Sequence, residues 1–284
     1  MRVALRLAYE GSSLWGFARQ PGKPTVEGIL LEVLKRSGLM ESPRRVRYEA
    51  AARTDRGVGA LGQVVAFDST RGFSEEELNS LLPPELTVLA AVEVPPTFSP
   101  RREALFRHYR YVLPLPEPFD LREVRRGAKL LETAKDFSAL CRSEPGKPPF
   151  CKLFLVGVRV EGGILKADFV ATHFLHQQVR RMMGALLLLG QGRMELEELW
   201  SLTRRGGRME GEPAPVEGLF LVGVGYGGLT LPPSAGAVER FSRELQRRPG
   251  WRNLEMLRML REEFEAINKG KEGNFRVWRG TSQG

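Results

Sequence analysis

Cysteine and histidine are scarce in this chain. Its 284 residues include two cysteines, Cys141 and Cys151, and three histidines, His108, His173 and His176. Two cysteines are too few for a disulfide scaffold, and these five residues do not follow a metal-ligand spacing. The sequence therefore predicts neither a disulfide framework nor a zinc site.

Long apolar segments are absent too. No hydrophobic run approaches the roughly 20 residues that a membrane-spanning helix requires, and Met1–Arg6 lacks the apolar core of a signal peptide. The chain also lacks a phosphate-binding loop ending in Gly-Lys-Ser/Thr, which argues against nucleotide hydrolysis. We expect a cytoplasmic protein with no membrane partner.

Positive charge is in excess. The chain has 43 lysines and arginines against 34 aspartates and glutamates, a formal net charge of +9. Such a balance favours a polyanionic partner, most often nucleic acid, although an arginine-rich composition can also reflect genome composition or a hot habitat. The hydrophobic fraction of 42% and the charged fraction of 27% are those of an ordinary globular protein.

Hydrophobic periodicity predicts the order β-α-β-β-α-β in each of two halves. In the first half, strands are predicted at 2–9, 46–52, 61–68 and 86–94, and helices are predicted at 25–39 and from Ser74. In the second half, strands are predicted at 105–113, 154–160, 164–172 and 219–225, and helices are predicted at 121–131 and 174–189, with an additional helix at 196–204. This order indicates an α+β protein, in which two split βαβ-like halves with their helices join their sheets into one central antiparallel sheet.

The same pattern divides the chain into three segments. Residues 1–97 are predicted to form the N-terminal α+β half, residues 98–228 the C-terminal half, and residues 229–284 a linker followed by a helical extension. An apolar stripe over 254–267 predicts the helix of that extension. Residues 269–284 are polar and are expected to be mobile at their end.

The most informative segment is a turn that carries one carboxylate between two arginines, Arg53-Thr54-Asp55-Arg56-Gly57, with a predicted strand on each side. Positive charge nearby favours the ionised form of a carboxyl group. Asp55 is therefore a candidate nucleophile or base rather than an acid. The alternative is an aspartate selected for turn formation and flanked by solvated arginines.

Aromatic and basic residues alternate along the predicted strand 105–113. Arg107, Tyr109 and Tyr111 share one face of that strand, and His108 and Arg110 share the other. Arginine beside tyrosine suits phosphate contact and base stacking. The alternative is a half-buried strand whose tyrosines pack inward.

One arginine lies within the apolar helix predicted at 174–189. In that helix His173, His176 and Arg180 would fall on one face, but the two histidines lack a third metal ligand. A buried arginine needs an anionic partner, and Asp55 is a candidate for that partner.

Five collinear segments resemble the family of tRNA pseudouridine synthase A, over about residues 3–226. They are Tyr9–Phe17 with the helix start Thr25–Gly28, Arg53–Ala60, Phe98–Tyr111, Phe174–Gly184, and Ala214–Tyr226. The resemblance implies two α+β halves around a central antiparallel sheet, with a basic cleft between them, usually as a homodimer. Many bacterial members have alanine in place of Arg56 and histidine in place of Gly59, so the positional specificity of this chain is expected to differ from theirs.

The resemblance also implies roles for individual residues. Asp55 would be the catalytic aspartate, Arg180 its ionic partner, and Tyr109 a contact to the target base. Arg53 would displace the target uridine from its stack. The remaining candidate substrate-binding residues are Arg56, Arg101 and Arg107.

The implied reaction is the isomerisation of uridine to pseudouridine in tRNA, at positions 38 to 40 of the anticodon stem-loop. The reaction rejoins the base to the sugar through a different atom, so we expect no cofactor and no metal. Whether the aspartate acts as nucleophile or base stays open. A non-catalytic RNA-binding protein on the same scaffold and an N-glycosidase are the alternatives.

Overall fold

The computed structural model describes residues 1–143, 146, 148–207, 209 and 211–269. Over these residues the chain forms one eight-stranded sheet. Its strands are β1 (Arg2–Tyr9), β2 (Glu49–Ala50), β3 (Gly59–Asp68), β4 (Leu86–Glu93), β5 (Ala104–Pro114), β6 (Leu153–Glu161), β7 (Ile164–Ala171) and β8 (Leu219–Tyr226).

The same residues form seven α-helices. These are α1 (Val26–Arg36), α2 (Glu75–Leu81), α3 (Leu121–Glu132), α4 (Gln178–Gly190), α5 (Leu196–Arg205), α6 (Ala235–Arg247) and α7 (Trp251–Asn268). Thr25 caps α1 by accepting a hydrogen bond from Gly28 N, and Ser74 caps α2 in the same way through Glu77 N. The predicted α+β class is confirmed.

The two halves meet in the middle of the sheet. Its strand order is β4-β1-β3-β8-β5-β7-β6, with β2 paired to β3. Every pairing is antiparallel except that of β3 with β8, in which Gly59 lies opposite Phe220 and Ala60 opposite Leu221. This short parallel pair joins the halves, and the Asp55 turn immediately precedes it.

The start of α4 differs from the prediction. The predicted helix at 174–189 was wrong in its first turn, because residues 173–177 form a loop in which Gln177 has a φ of 58°. The buried side chain of Gln178 accepts a hydrogen bond from Leu175 N at 2.8 Å and contacts Cys151 Sγ at 3.0 Å. These contacts stabilise a loop conformation of the residues that precede Gln178, so the helix begins only at that residue.

The C-terminal segment covers one face of the sheet. The larger apolar core packs α1, α3, α4 and α5 on one face. On the other face, Phe241 of α6 and Met256 and Leu260 of α7 form a smaller core with Leu61 and Phe220. The predicted helix at 254–267 is confirmed as α7, whereas α6 was not predicted. The polar C-terminal end, which is predicted to be mobile, lies outside the described residues from residue 270 on. The division of the chain at residues 97 and 228 stays a prediction.

A buried ionic cluster fixes α7 to the second half of the sheet. Arg110 lies between Asp168, at 2.7 Å from its Nε, and Glu255 of α7, at 2.7 Å from its Nη1. His108 Nε2 and Lys166 Nζ also belong to this cluster, at 2.6 Å from Asp168 and 2.9 Å from Glu255 respectively. His108 and Arg110 therefore face α7, as strand alternation predicts. None of the helices in the described part of the chain is both long and apolar enough to cross a membrane.

Candidate active site

The turn that carries Asp55 connects β2 to β3 and is held by backbone contacts. Phe17 N donates to Thr54 O at 3.0 Å, and Val58 N donates to Asp55 O at 3.2 Å, which closes the turn. Tyr9 Oη and Thr54 Oγ1 share a hydrogen bond of 2.9 Å. A Cβ at Gly16, whose φ is +90°, would lie only 3.0 Å from Thr54 O. The loop that contains Gly16 therefore approaches the turn closely and leaves the Asp55 side chain partly exposed.

Two cationic or potentially cationic side chains flank the Asp55 carboxylate. Arg180 Nη1 lies 3.9 Å from Oδ2, and His176 Nε2 lies 4.0 Å from Oδ1. These distances exceed those of direct hydrogen bonds, so the interaction is electrostatic. The structure thus brings Arg180, which the sequence suggested as the ionic partner of Asp55, close to that carboxylate.

Arg180 is itself fixed by the segment that precedes β8. Its Nε donates to Ala214 O at 2.9 Å, and Ala214 N donates back to Arg180 O at 2.9 Å. Tyr111 Oη donates to the same carbonyl of Ala214 at 3.3 Å. The guanidinium therefore approaches Asp55 from a fixed anchor.

Tyr109 of β5 is buried, and its ring lies edge-on to Phe174 at 5.3 Å between centroids. Burial raises the pKa of the Tyr109 hydroxyl above its ordinary value, and the Tyr9 hydroxyl and the Asp55 carboxylate act in the same direction. Tyr109 therefore keeps its proton at neutral pH and offers a hydroxyl donor near the Asp55 turn.

Three of the predicted substrate-binding arginines, Arg53, Arg56 and Arg101, face solvent. The Arg56 guanidinium lies 3.7 Å from the centroid of the Trp15 ring, and Lys23 Nζ lies 4.0 Å from the same centroid. Cation–π stacking restricts the orientation of Arg56 next to Asp55.

Arg107, also predicted to bind substrate, differs from these three arginines because its side chain does not face solvent. Its side chain is buried, and it donates to Ala51 O at 2.8 Å, Thr172 O at 2.6 Å and Arg101 O at 2.9 Å. Burial lowers its pKa below the ordinary arginine value. Because these backbone carbonyls take its donors, Arg107 ties β5 to the chain ahead of the Asp55 turn instead of presenting a free guanidinium to substrate.

His176 and Trp15 are the residues at this site that sequence reasoning did not assign. His176 was considered as a metal ligand on a helical face, but it lies in the loop before α4 and faces Asp55. Trp15 belongs to a segment that resembles the family, and no role was assigned to it. The position of each depends on loop geometry, which periodicity does not predict.

The site thus places one partly exposed carboxylate between an arginine and a histidine, beside a buried tyrosine and among exposed arginines. An ionised carboxylate in such surroundings can act as a nucleophile or as a base on a polyanionic substrate.

The amino-acid sequence of this chain is similar to those of known proteins. The profile of a family described as tRNA pseudouridine synthase matches residues 128–227. The tRNA pseudouridine synthase A of Methanosarcina mazei is 43% identical over 230 residues, which cover 80% of this chain and 85% of that protein. The enzyme of the same name from Thermococcus kodakarensis is 38% identical over 251 residues, covering 86% and 92%.

Among solved structures, a chain in the crystal structure of a Cbf5-Nop10-Gar1 complex aligns with a TM-score of 0.32 at 12% identity, covering 65% of this chain and 54% of that one. A likeness of that size carries no weight here. The sequence identities to the two enzymes of the same name are high enough to decide the family. The chain belongs to the tRNA pseudouridine synthase A family of isomerases.

Proposed function

We propose that this protein converts uridine to pseudouridine in tRNA, with Asp55 as the catalytic carboxylate. The observation that supports this most directly is the position of Asp55 between Arg180 and His176, 3.9 and 4.0 Å from its two oxygens. The exposed arginines around it suit an RNA backbone, and the names of the relatives indicate tRNA as the RNA.

The reaction breaks the bond between N1 of the base and C1′ of the sugar, turns the base, and forms a bond from C5 to C1′. The proton on C5 is lost and N1 gains one, so no electrons are exchanged with an external donor. Asp55 acts either as a nucleophile at the sugar or as a base that removes a sugar proton. Either role uses the oxygens of the Asp55 carboxylate, and Arg180 Nη1 lies 3.9 Å from Oδ2.

The target uridine must leave its stack to reach Asp55. A uridine in an RNA stem is inaccessible to an enzyme until it is flipped out. We assign Tyr109 to the face or edge of the flipped base and Arg53 to the space that the base leaves. Arg56 and Arg101 contact the backbone phosphates, and Arg107 positions β5 from within the fold.

We assign the target uridines to positions 38 to 40 of the anticodon stem-loop, in keeping with the resemblance. The proposal also includes a homodimer and a cytoplasmic location. Light scattering on the purified protein measures the first, and fractionation of the source cells measures the second.

Tritium release from tRNA labelled at C5 of uridine tests the catalytic assignment. Wild-type protein should release label without added nucleotide, whereas Asp55→Asn should release none and still bind tRNA. Label release by Asp55→Asn at the wild-type rate would overturn the assignment. A non-catalytic RNA-binding protein would bind tRNA without any release, and an N-glycosidase would liberate free uracil.

A further inference from the structure

The N-terminal end of α7 reaches the turn that carries Asp55. Arg252, the second residue of α7, has a buried side chain. Its Nη1 donates to Gly57 O at 2.5 Å, and its Nη2 donates to the backbone O of Glu10 at 2.8 Å and to the carboxylate Oε1 of Glu10 at 2.6 Å. One guanidinium thus joins α7, the end of β1 and the catalytic turn.

Glu10 extends this junction into the loop that follows β1. Its buried carboxylate accepts hydrogen bonds from Ser12 N at 2.9 Å and from Asn253 Nδ2 at 3.2 Å. Burial alone would raise the pKa of Glu10, but the hydrogen bond from Ser12 and the charge of Arg252 outweigh it and hold that pKa below its ordinary value. Glu10 is therefore an ionised partner for Arg252 at neutral pH.

The backbone leaves little room for this turn to relax. Gly57 has a φ of +83°, and a Cβ there would lie 3.0 Å from the Val216 side chain. A Cβ at Gly11 would lie 2.4 Å from Val58 O, and one at Gly59 would lie 3.3 Å from Met256 Sδ of α7. The turn is therefore packed closely against both the loop after β1 and α7.

We infer that Arg252 is a positioning residue for the isomerisation, which holds the catalytic turn through the Gly57 carbonyl. Gly57 is two residues from Asp55, and Val58 N closes the turn on Asp55 O. Displacing Gly57 therefore displaces Asp55 relative to Arg180. This inference rests on the proposed catalytic role of Asp55, and it gives α7 a part in the reaction.

Glu10 pairs with Arg252 at 2.6 Å and with Arg248 at 3.6 Å. Because truncating Arg252 leaves the buried carboxylate with only the longer of these two pairs, Arg252→Ala will destabilise the fold as well. Arg252→Lys retains the charge but lacks the forked geometry that reaches both Gly57 O and the Glu10 carboxylate. Glu263→Gln is a matched control: Glu263 pairs with Arg6 at 2.6 Å in another buried contact between α7 and β1. Arg6 also donates to Leu61 O at 3.0 Å and to Leu231 O at 3.1 Å, both outside residues 53–58.

The experiment compares kcat and KM for tRNA by tritium release, at a temperature where circular dichroism shows every variant folded. Arg252→Lys should lower kcat by about tenfold or more, with KM changed less than twofold, because a misplaced carboxylate slows the chemical step. Glu263→Gln should lose thermal stability but keep kcat within twofold of wild type. Added methylguanidinium should restore part of the kcat of Arg252→Ala, since a cavity of about 400 Å³ lined by Glu10, Trp251 and Arg252 gives it access.

A folded Arg252→Lys protein with wild-type kcat would overturn the inference, as would an equal loss of kcat in Glu263→Gln. If Arg252→Ala does not fold, Arg252→Lys alone decides the outcome. Asp55→Asn, measured alongside, separates the two claims. Full activity in Asp55→Asn refutes the proposed function, whereas an inactive Asp55→Asn with an unaffected Arg252→Lys refutes only the role of Arg252.

Discussion

Arg180 approaches Asp55 without forming a direct hydrogen bond to it: its Nη1 stays 3.9 Å from Asp55 Oδ2, while its Nε is bonded to Ala214 O at 2.9 Å. The arginine is thus anchored to the backbone, with part of its guanidinium near the carboxylate. A cation held at this distance leaves the lone pairs of the carboxylate unoccupied. In the proposed reaction those lone pairs attack or deprotonate the sugar.

Replacing Arg180 should therefore impair catalysis more than tRNA binding. We expect Arg180→Met to lower kcat by about 100-fold, because the ionised carboxylate loses its fixed cation. Steady-state tritium release gives kcat, and filter binding gives the Kd for tRNA. A large rise in Kd with unchanged kcat would instead make Arg180 a substrate contact.

His176 should contribute through its position beside Asp55. We expect His176→Phe to lower kcat by about tenfold, since it removes a polar partner 4.0 Å from Asp55 Oδ1. His173 is an exposed histidine of the same loop and serves as the control. His173→Phe should keep wild-type kcat, and an equal loss in both variants would show that the loop, rather than the His176 imidazole, matters.

Trp15 should act on RNA binding through Arg56. If stacking at 3.7 Å orients Arg56 for a phosphate contact, Trp15→Ala should weaken tRNA binding. The double variant Trp15→Ala/Arg56→Ala should then bind tRNA little more weakly than Arg56→Ala alone. Removing one phosphate contact should reduce the slope of log Kd against log salt by about one. Titrations at several salt concentrations measure both effects, and strictly additive losses would contradict the coupling.

Acid should loosen α7 through Glu255. Burial alone would raise its pKa, but hydrogen bonds from Arg258 and Lys166 and the charge of Arg110 lower that pKa from 4.5 to about 2. A carboxyl whose pKa is lower in the folded state stabilises the fold above its unfolded pKa, and that stabilisation is lost as the pH falls. The free energy of unfolding should therefore decline as the pH falls from about 4.5 towards about 2.

Urea denaturation at pH 7, 4 and 3 measures this decline. Glu255→Gln should be less stable than wild type at pH 7 and should lose less stability on acidification. Equal losses in both proteins would place the acid sensitivity elsewhere, for example at Asp168, whose pKa is also held below its ordinary value.

Local patterns in the sequence predicted the features that depend on local chemistry. Alternation along β5 separated Tyr109 and Tyr111 from Arg110, and the side chain of Thr25 marked the start of α1. The apolar surroundings of Arg180 predicted a need for an anion, and Asp55 is that anion. In each case the deciding interaction lies within one element or follows from the apolar sequence surroundings of a single charge.

Long-range contacts decided the features that the sequence did not predict. The start of α4 depends on the contact of Gln178 with Cys151, and Arg107 is enclosed by carbonyls from three separate segments. Arg252 reaches Gly57 across 195 positions of the chain. No periodicity or spacing carries such information, because it arises only when the sheet brings distant segments together.

The central claim is that this protein isomerises specific uridines of tRNA with Asp55 as the catalytic carboxylate. Mapping the pseudouridines formed in tRNA tests this claim most directly. Unmodified tRNA is incubated with wild-type protein or Asp55→Asn, and pseudouridines are located by carbodiimide-dependent stops of reverse transcription. We expect new stops at positions 38 to 40 with the wild type and none with Asp55→Asn. The same stops in both samples would contradict the account.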